Sequence, residues 1–154
     1  MNAVINTSAL SSFMRAKAMD LLKMLFDEII IPEGVLEELS KRYKPPSYPW
    51  ITIYSLNHRQ IRRALALGLG KGESQAIIVA KDLKTYLIID EKSARKVAKK
   101  YSIKVIGTAG ILKKIYEECL IDQERWRQIV STIIEDQYWS PEIRRYVLSA
   151  RKKN

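Results

Sequence analysis

At 154 residues, with 47% hydrophobic and 29% charged side chains, the chain has the size of one domain, can bury a core without disulfides or a structural metal, and is not of disordered composition. A single cysteine, Cys119, excludes a disulfide framework and a cysteine-rich zinc site and fits a reducing cytoplasm, and no apolar run reaches the roughly 20 residues of a membrane span. Basic residues outnumber acidic ones by 27 to 17, a net charge of +10 that favours polyanionic partners through counterion release, nucleic acid first.

In chain order, Ala3-Val4-Ile5 begins a short apolar strand, and Asn6-Thr7-Ser8 supplies side chains suited to a strand-to-helix turn and an N-cap. Leu10, Met14, Ala18, Leu21 and Leu25 then keep helical spacing across Ser11 to Phe26, in one piece or two. Ile29-Ile30-Ile31 is a second buried strand, Pro32 suits a first helical turn, and Val35, Leu36 and Leu39 mark the apolar side of a helix running to about Tyr43. On that helix Glu38 lies at the flank of the stripe while Glu37 points farther outward. Lys44 to Pro49 reads as a surface loop before a strand over Trp50 to Tyr54, and a helix over His58 to Leu67 is closed by Gly68 and Gly70.

In the next helix Glu73, Ala76, Ile77 and Ala80 stand at i, i+3, i+4 and i+7, which puts Glu73 at the N-terminal end of a buried stripe. That is a costly place for a charge. Thr85 to Ile89 reads as a buried strand ending on Asp90, a site candidate that also suits a cap for the helix over Lys92 to Tyr101. Lys92, Arg95, Lys96, Lys99 and Lys100 form the outward face of that helix. Ile103 to Ile106 is a further strand, Gly107-Thr108 turns and caps, and Ile111, Leu112, Ile115 and Cys119 give the next apolar stripe, with Cys119 expected in the core. Residues 122–154 read as a helical extension packed on the domain: Trp126, Ile129, Val130 and Ile133 make one stripe, and Ser140-Pro141-Glu142 starts a last helix.

Alternating strands and helices predict a three-layer α/β/α fold with a central parallel sheet, and such sheets place ligands beyond the carboxyl ends of their strands. Asn6-Thr7-Ser8, Asp90-Glu91 and Gly107-Thr108 stand at such ends, and Glu73 starts the helix leading back to the Asp90 strand. An acidic site within a basic protein is what divalent-metal phosphoryl hydrolysis uses, because hard cations take oxygen ligands while basic residues around the rim hold the backbone. Lys71 lacks the P-loop spacing. His58, the only histidine, lies far in sequence from Ser8 and Cys119, which gives triad chemistry no support. Trp50, Trp126 and Trp139 are expected in the core.

The blocks VINTSAL (4–10), IIIPEGVLEEL (29–39), LGKGESQAI (69–77), LIIDEKSARKVA (87–98), VIGTAGIL (105–112) and DQYWSPEIRRYVL (136–148), in this order, resemble PIN-domain proteins, close to the VapC-type toxin ribonucleases and uncharacterised PIN-like relatives. The resemblance implies one PIN-like domain over 1–154 and cleavage of single-stranded RNA with Mg²⁺ or Mn²⁺ at Asn6, Glu38, Glu73 and Asp90. Glu38, Glu73 and Asp90 would be the catalytic acids, supported by Thr7, Ser8 and Thr108; the basic helix face beside Asp90 offers Lys92, Arg95 and Lys96 for RNA. It also implies an antitoxin protein and a second copy of the chain as partners. Asn6 departs from the family's usual aspartate: its carbonyl can ligate a cation but carries no charge. The alternative is therefore a catalytically impaired module that binds RNA or a protein. Thr7 and Ser8 have a second use as N-cap hydroxyls.

Overall fold

The computed structural model describes residues 1–153. In chain order the elements are β1 (Asn2–Ile5), α1 (Thr7–Arg15), α2 (Met19–Leu25), β2 (Glu28–Pro32), α3 (Glu33–Ser40), β3 (Ile51–Tyr54), α4 (His58–Leu65), α5 (Lys71–Leu83), β4 (Tyr86–Ile88), α6 (Lys92–Lys100), β5 (Val105–Ile106), α7 (Thr108–Glu117), α8 (Gln123–Gln137) and α9 (Pro141–Leu148). All pairings among the five strands are parallel, in the order β3-β2-β1-β4-β5. The strand order reverses at β1, between β2 and β4, and there the crevice beyond the carboxyl ends of a parallel sheet opens.

Alternation along the strands explains why both faces are covered. Ala3 and Ile5 of β1, Ile29 and Ile31 of β2 and Ile88 of β4 join one core with α1, α2, α7 and α8. Val4, Ile30 and Leu87 point the other way, into a second core with α5 and α6. Each buried Val, Leu or Ile side chain among these contributes about 1.5–3 kcal/mol of transfer free energy, and a one-residue slip in register would exchange two cores at once.

Several boundaries differ from the sequence pattern. The apolar run over Ser11 to Phe26 is two helices, broken where Lys17 takes the left-handed conformation (φ 53°). Pro32 closes β2 and precedes α3 as its N-cap, in extended backbone, rather than occupying the first helical turn. Helix α4 ends at Leu65, and β5 is two residues long. Cys119 is exposed, not a core residue. It follows α7 in the left-handed region (φ 57°), which turns it off the helical stripe. Trp126 and Trp139 are buried as expected, whereas Trp50 is only partly buried and stacks on Tyr48 at 5.0 Å. No helix among the described residues is long and apolar enough to cross a membrane.

Candidate functional site

The site is built where β1 and β4 end side by side, with Ile5 in register with Ile88. The backbone N–H of Asn6 still donates to the Ile88 carbonyl at 3.1 Å, so Asn6 leaves the sheet at the edge of the crevice. Its side-chain carbonyl caps α1, accepting from the Ala9 N–H at 3.3 Å. That bond fixes the amide's orientation: Nδ2 faces the crevice and donates to Glu91 at 2.8 Å. Thr7 and Ser8 do not cap the helix. Thr7 Oγ1 donates to Glu38 at 2.8 Å, and Ser8 Oγ donates to Glu91 at 2.5 Å.

Glu38 and Glu73 are brought in by close contact between α3 and α5. The Gly34 N–H donates to Gln75 Oε1 at 2.8 Å, and a Cβ on Gly34 would meet that oxygen at 2.6 Å. A side chain at 34 would have to push the Gln75 amide out of that bond. The Gly72 N–H, in the first turn of α5, then donates to Glu38 Oε1 at 2.6 Å. A Cβ on Gly72 would lie 2.8 Å from the same oxygen and 2.9 Å from Thr7 Oγ1. Glu73 follows directly. Burial, then the negative charges of Glu91 and Glu38, push its carboxyl above the usual glutamate range. No hydrogen bond to its side chain is present among the described residues. Lys71, the nearest cation in sequence, is paired instead with Glu37 at 2.5 Å.

Asp90 has the opposite surroundings. Its Oδ1 accepts from the Thr108 N–H at 2.8 Å, and its Oδ2 accepts from Thr108 Oγ1 at 2.6 Å and Gln137 Nε2 at 3.1 Å. Asp90 therefore caps α7 across the sheet rather than α6, whose N-cap position is Glu91. Burial raises its carboxyl above the usual aspartate range, against the lowering effect of these bonds. Thr108 is fully buried, and both its N–H and its hydroxyl are used on Asp90.

A family model described as PIN domain matches residues 2–152. The chain belongs to the PIN-domain family. No curated protein matches it. The family has a nuclease-type fold, and the parallel three-layer architecture is the one expected of it.

Sequence reasoning about this PIN domain missed four polar residues at the crevice. Glu91 takes hydrogen bonds from Asn6 and Ser8, although its neighbour Asp90 was the candidate. Ser12, Asp136 and Gln137 form a wall between α1 and the end of α8: Ser12 Oγ donates to Asp136 at 2.6 Å, and Gln137 Nε2 donates to Ser12 Oγ at 2.9 Å as well as to Asp90. The buried Trp139 orients Gln137 by donating from its indole N–H to Oε1 at 2.8 Å. The only hint in the sequence was a polar run, Glu135-Asp136-Gln137, directly after an apolar stripe. Of the basic candidates, Lys92 and Lys96 are exposed, whereas Arg95 is partly buried and donates to the Ile89 carbonyl at 3.4 Å.

The donor chemistry of Glu38, Glu73 and Glu91 suits a hard divalent cation, since all three are carboxylates without sulfur or imidazole beside them. Among the described residues no three acidic, histidine or cysteine side chains converge closely enough to share one ion. Mg²⁺ suits such a site, because it keeps several waters and takes only one or two protein carboxylates.

Proposed function

We propose that this PIN domain hydrolyses phosphodiester bonds of single-stranded RNA, with Mg²⁺ or Mn²⁺ held by Glu38, Glu73 and Glu91 directly or through water. The observation that carries the reading is Glu73: a partly buried carboxylate without a hydrogen-bond partner among the described residues, beside two further acids that raise its pKa. Negative charge so concentrated favours a divalent cation. When bound, the cation would supply an activated water and neutralise the phosphate. The chain's own residues hold the acids for it. Thr7 and Gly72 orient Glu38, Asn6 and Ser8 orient Glu91, and Lys92, Arg95 and Lys96 would attract the RNA backbone from the rim. Both oxygens of Asp90 are engaged, so this reading moves its role as a ligand to Glu91 and keeps Asp90 as the support that anchors α7 and α8. In its finer form, the chain is a toxin silenced by an antitoxin protein seated over the pocket, alone or as a homodimer.

The test is cleavage of a single-stranded RNA in Mn²⁺ or Mg²⁺. It is expected to vanish with EDTA and to fall about 100-fold or more in Glu73→Gln; cleavage that persists without metal would sink the reading. One observation favours a second reading, a non-cleaving binding module: Asn6 turns a donor, not an acceptor, toward the crevice. An N–H aimed there repels a cation where the family's usual aspartate would bind one. If Asn6→Asp creates Mn²⁺ binding and cleavage absent from the natural chain, the binding module is correct; equal cleavage by both versions rejects it.

A further inference from the structure

Two cations, Arg15 and Arg42, stand in the wall of the carboxylate pocket, and Arg15 is the one held by an acid. This cavity, of about 540 Å³, is lined by Glu38, Glu91, Asp136 and Arg15, the last residue of α1. Arg15 Nε lies 2.9 Å from Asp136 Oδ1, and its Nη1 donates to the Tyr43 hydroxyl at 3.2 Å. Asp136 is in turn fixed by Ser12, which is 1% exposed. Two bonds thus hold the guanidinium plane, and no partner for Nη2 is present among the described residues. A guanidinium oriented in advance, with free N–H groups facing a pocket, is suited to a phosphate oxygen.

A second groove, of about 910 Å³, shares Asp90 and Gln137 with the first and is lined by Lys92, Arg95, Tyr138 and Tyr146. Tyr138 follows Gln137 directly. It is 86% exposed and sits in the left-handed region (φ 50°). Glycine or asparagine is usual at such a helix end, and a tyrosine there costs on the order of 1 kcal/mol. With its ring in solvent, burial offers nothing to offset that cost. Tyr138 stands two residues after Asp136, the carboxylate that holds Arg15.

We propose that Arg15 and Tyr138 form a nucleotide subsite where the two grooves meet, the guanidinium taking a backbone phosphate and the tyrosine ring stacking on the adjoining unpaired base of a single-stranded nucleic acid. The inference deepens the hydrolase reading and rests on it for the direction of the strand toward the carboxylates. A free phosphate would need Arg15 alone, and a duplex presents no open base face; the pairing of cation with exposed ring selects a single strand.

The test is fluorescence anisotropy of a labelled short oligouridylate in EDTA, so that binding is read without metal or cleavage. Tyr138→Ala is expected to weaken binding roughly fivefold to 100-fold with an unchanged salt slope, while Tyr138→Phe, which keeps the ring, stays within about twofold of wild type. Arg15→Ala is expected to weaken binding about tenfold and to reduce the salt slope by about 0.7, whereas Arg15→Lys keeps the slope but binds less tightly than wild type. Lys100→Ala, an equal loss of charge at the far end of α6, is the control, and thermal melts establish that each variant folds. Failure of the wild type to bind, losses no larger than that of Lys100→Ala, or equal losses in Tyr138→Phe and Tyr138→Ala would overturn the subsite. Binding with the expected pattern but without metal-dependent cleavage would uphold the subsite and reject the hydrolase; cleavage indifferent to Arg15 and Tyr138 would do the reverse.

Discussion

Asp90 and Glu73 stand at the same edge of the same sheet, and burial raises the carboxyl pKa of both. Asp90 has two donors from Thr108 and a third from Gln137, whereas Glu73 has two other acids for company and no donor among the described residues. Burial with partners makes a carboxylate a fastener between elements. Burial without partners leaves one whose unfavourable energy a ligand can relieve.

The contrast is broken most severely at Asp90. Asp90→Ala leaves the Thr108 N–H and hydroxyl without their acceptor next to the core and takes one of the acceptors of the Gln137 amide. We expect a loss of about 3 kcal/mol, seen as a fall in Tm of roughly 6–12 °C in a thermal melt. Glu73→Ala should not lower Tm. Gly72→Ala comes next: the added methyl must displace Glu38 or Thr7, and Mn²⁺ affinity measured by calorimetric titration should fall about tenfold. The smallest effect is the most diagnostic. Because Glu73 has a raised pKa in the folded state, the native protein holds its proton more tightly than the unfolded chain does. Stability from this group is complete below the unfolded value of about 4.3 and is lost as pH rises through the folded pKa. Glu73→Gln should therefore raise Tm at pH 7 by about 1–3 °C, with the gain vanishing below about pH 4. A fall in Tm at pH 7 would mean that Glu73 is a fastener after all.

How far the sequence could be read follows from the range of each interaction. The strands and their two-faced burial were legible because Ile29-Ile30-Ile31 and Leu87-Ile88-Ile89 are continuous apolar runs, which only a sheet covered on both sides accommodates. The half-buried placement of Glu38 and Glu73 was legible from helical phase. Which of Asp90 and Glu91 fastens to Thr108 was not, because it depends on how the backbone turns after β4, and two adjacent acids carry no periodicity. Thr7 and Ser8 look like capping hydroxyls in sequence; only the approach of Glu38 and Glu91 from 31 and 83 residues away redirects them. Ser12 with Asp136, 124 residues apart, lies beyond any local pattern.

That last distance bears on how the protein is made. Asn6 leaves the ribosome long before Gln137, which fastens Asp90 and Ser12. The stretch from 122 onward, which in sequence resembles an appendage, supplies one wall of the pocket. A nascent chain can form β1, β2 and β3 and still lack a finished crevice, because α8 has yet to arrive. Whatever chemistry the crevice performs is thereby withheld until α8 has been made.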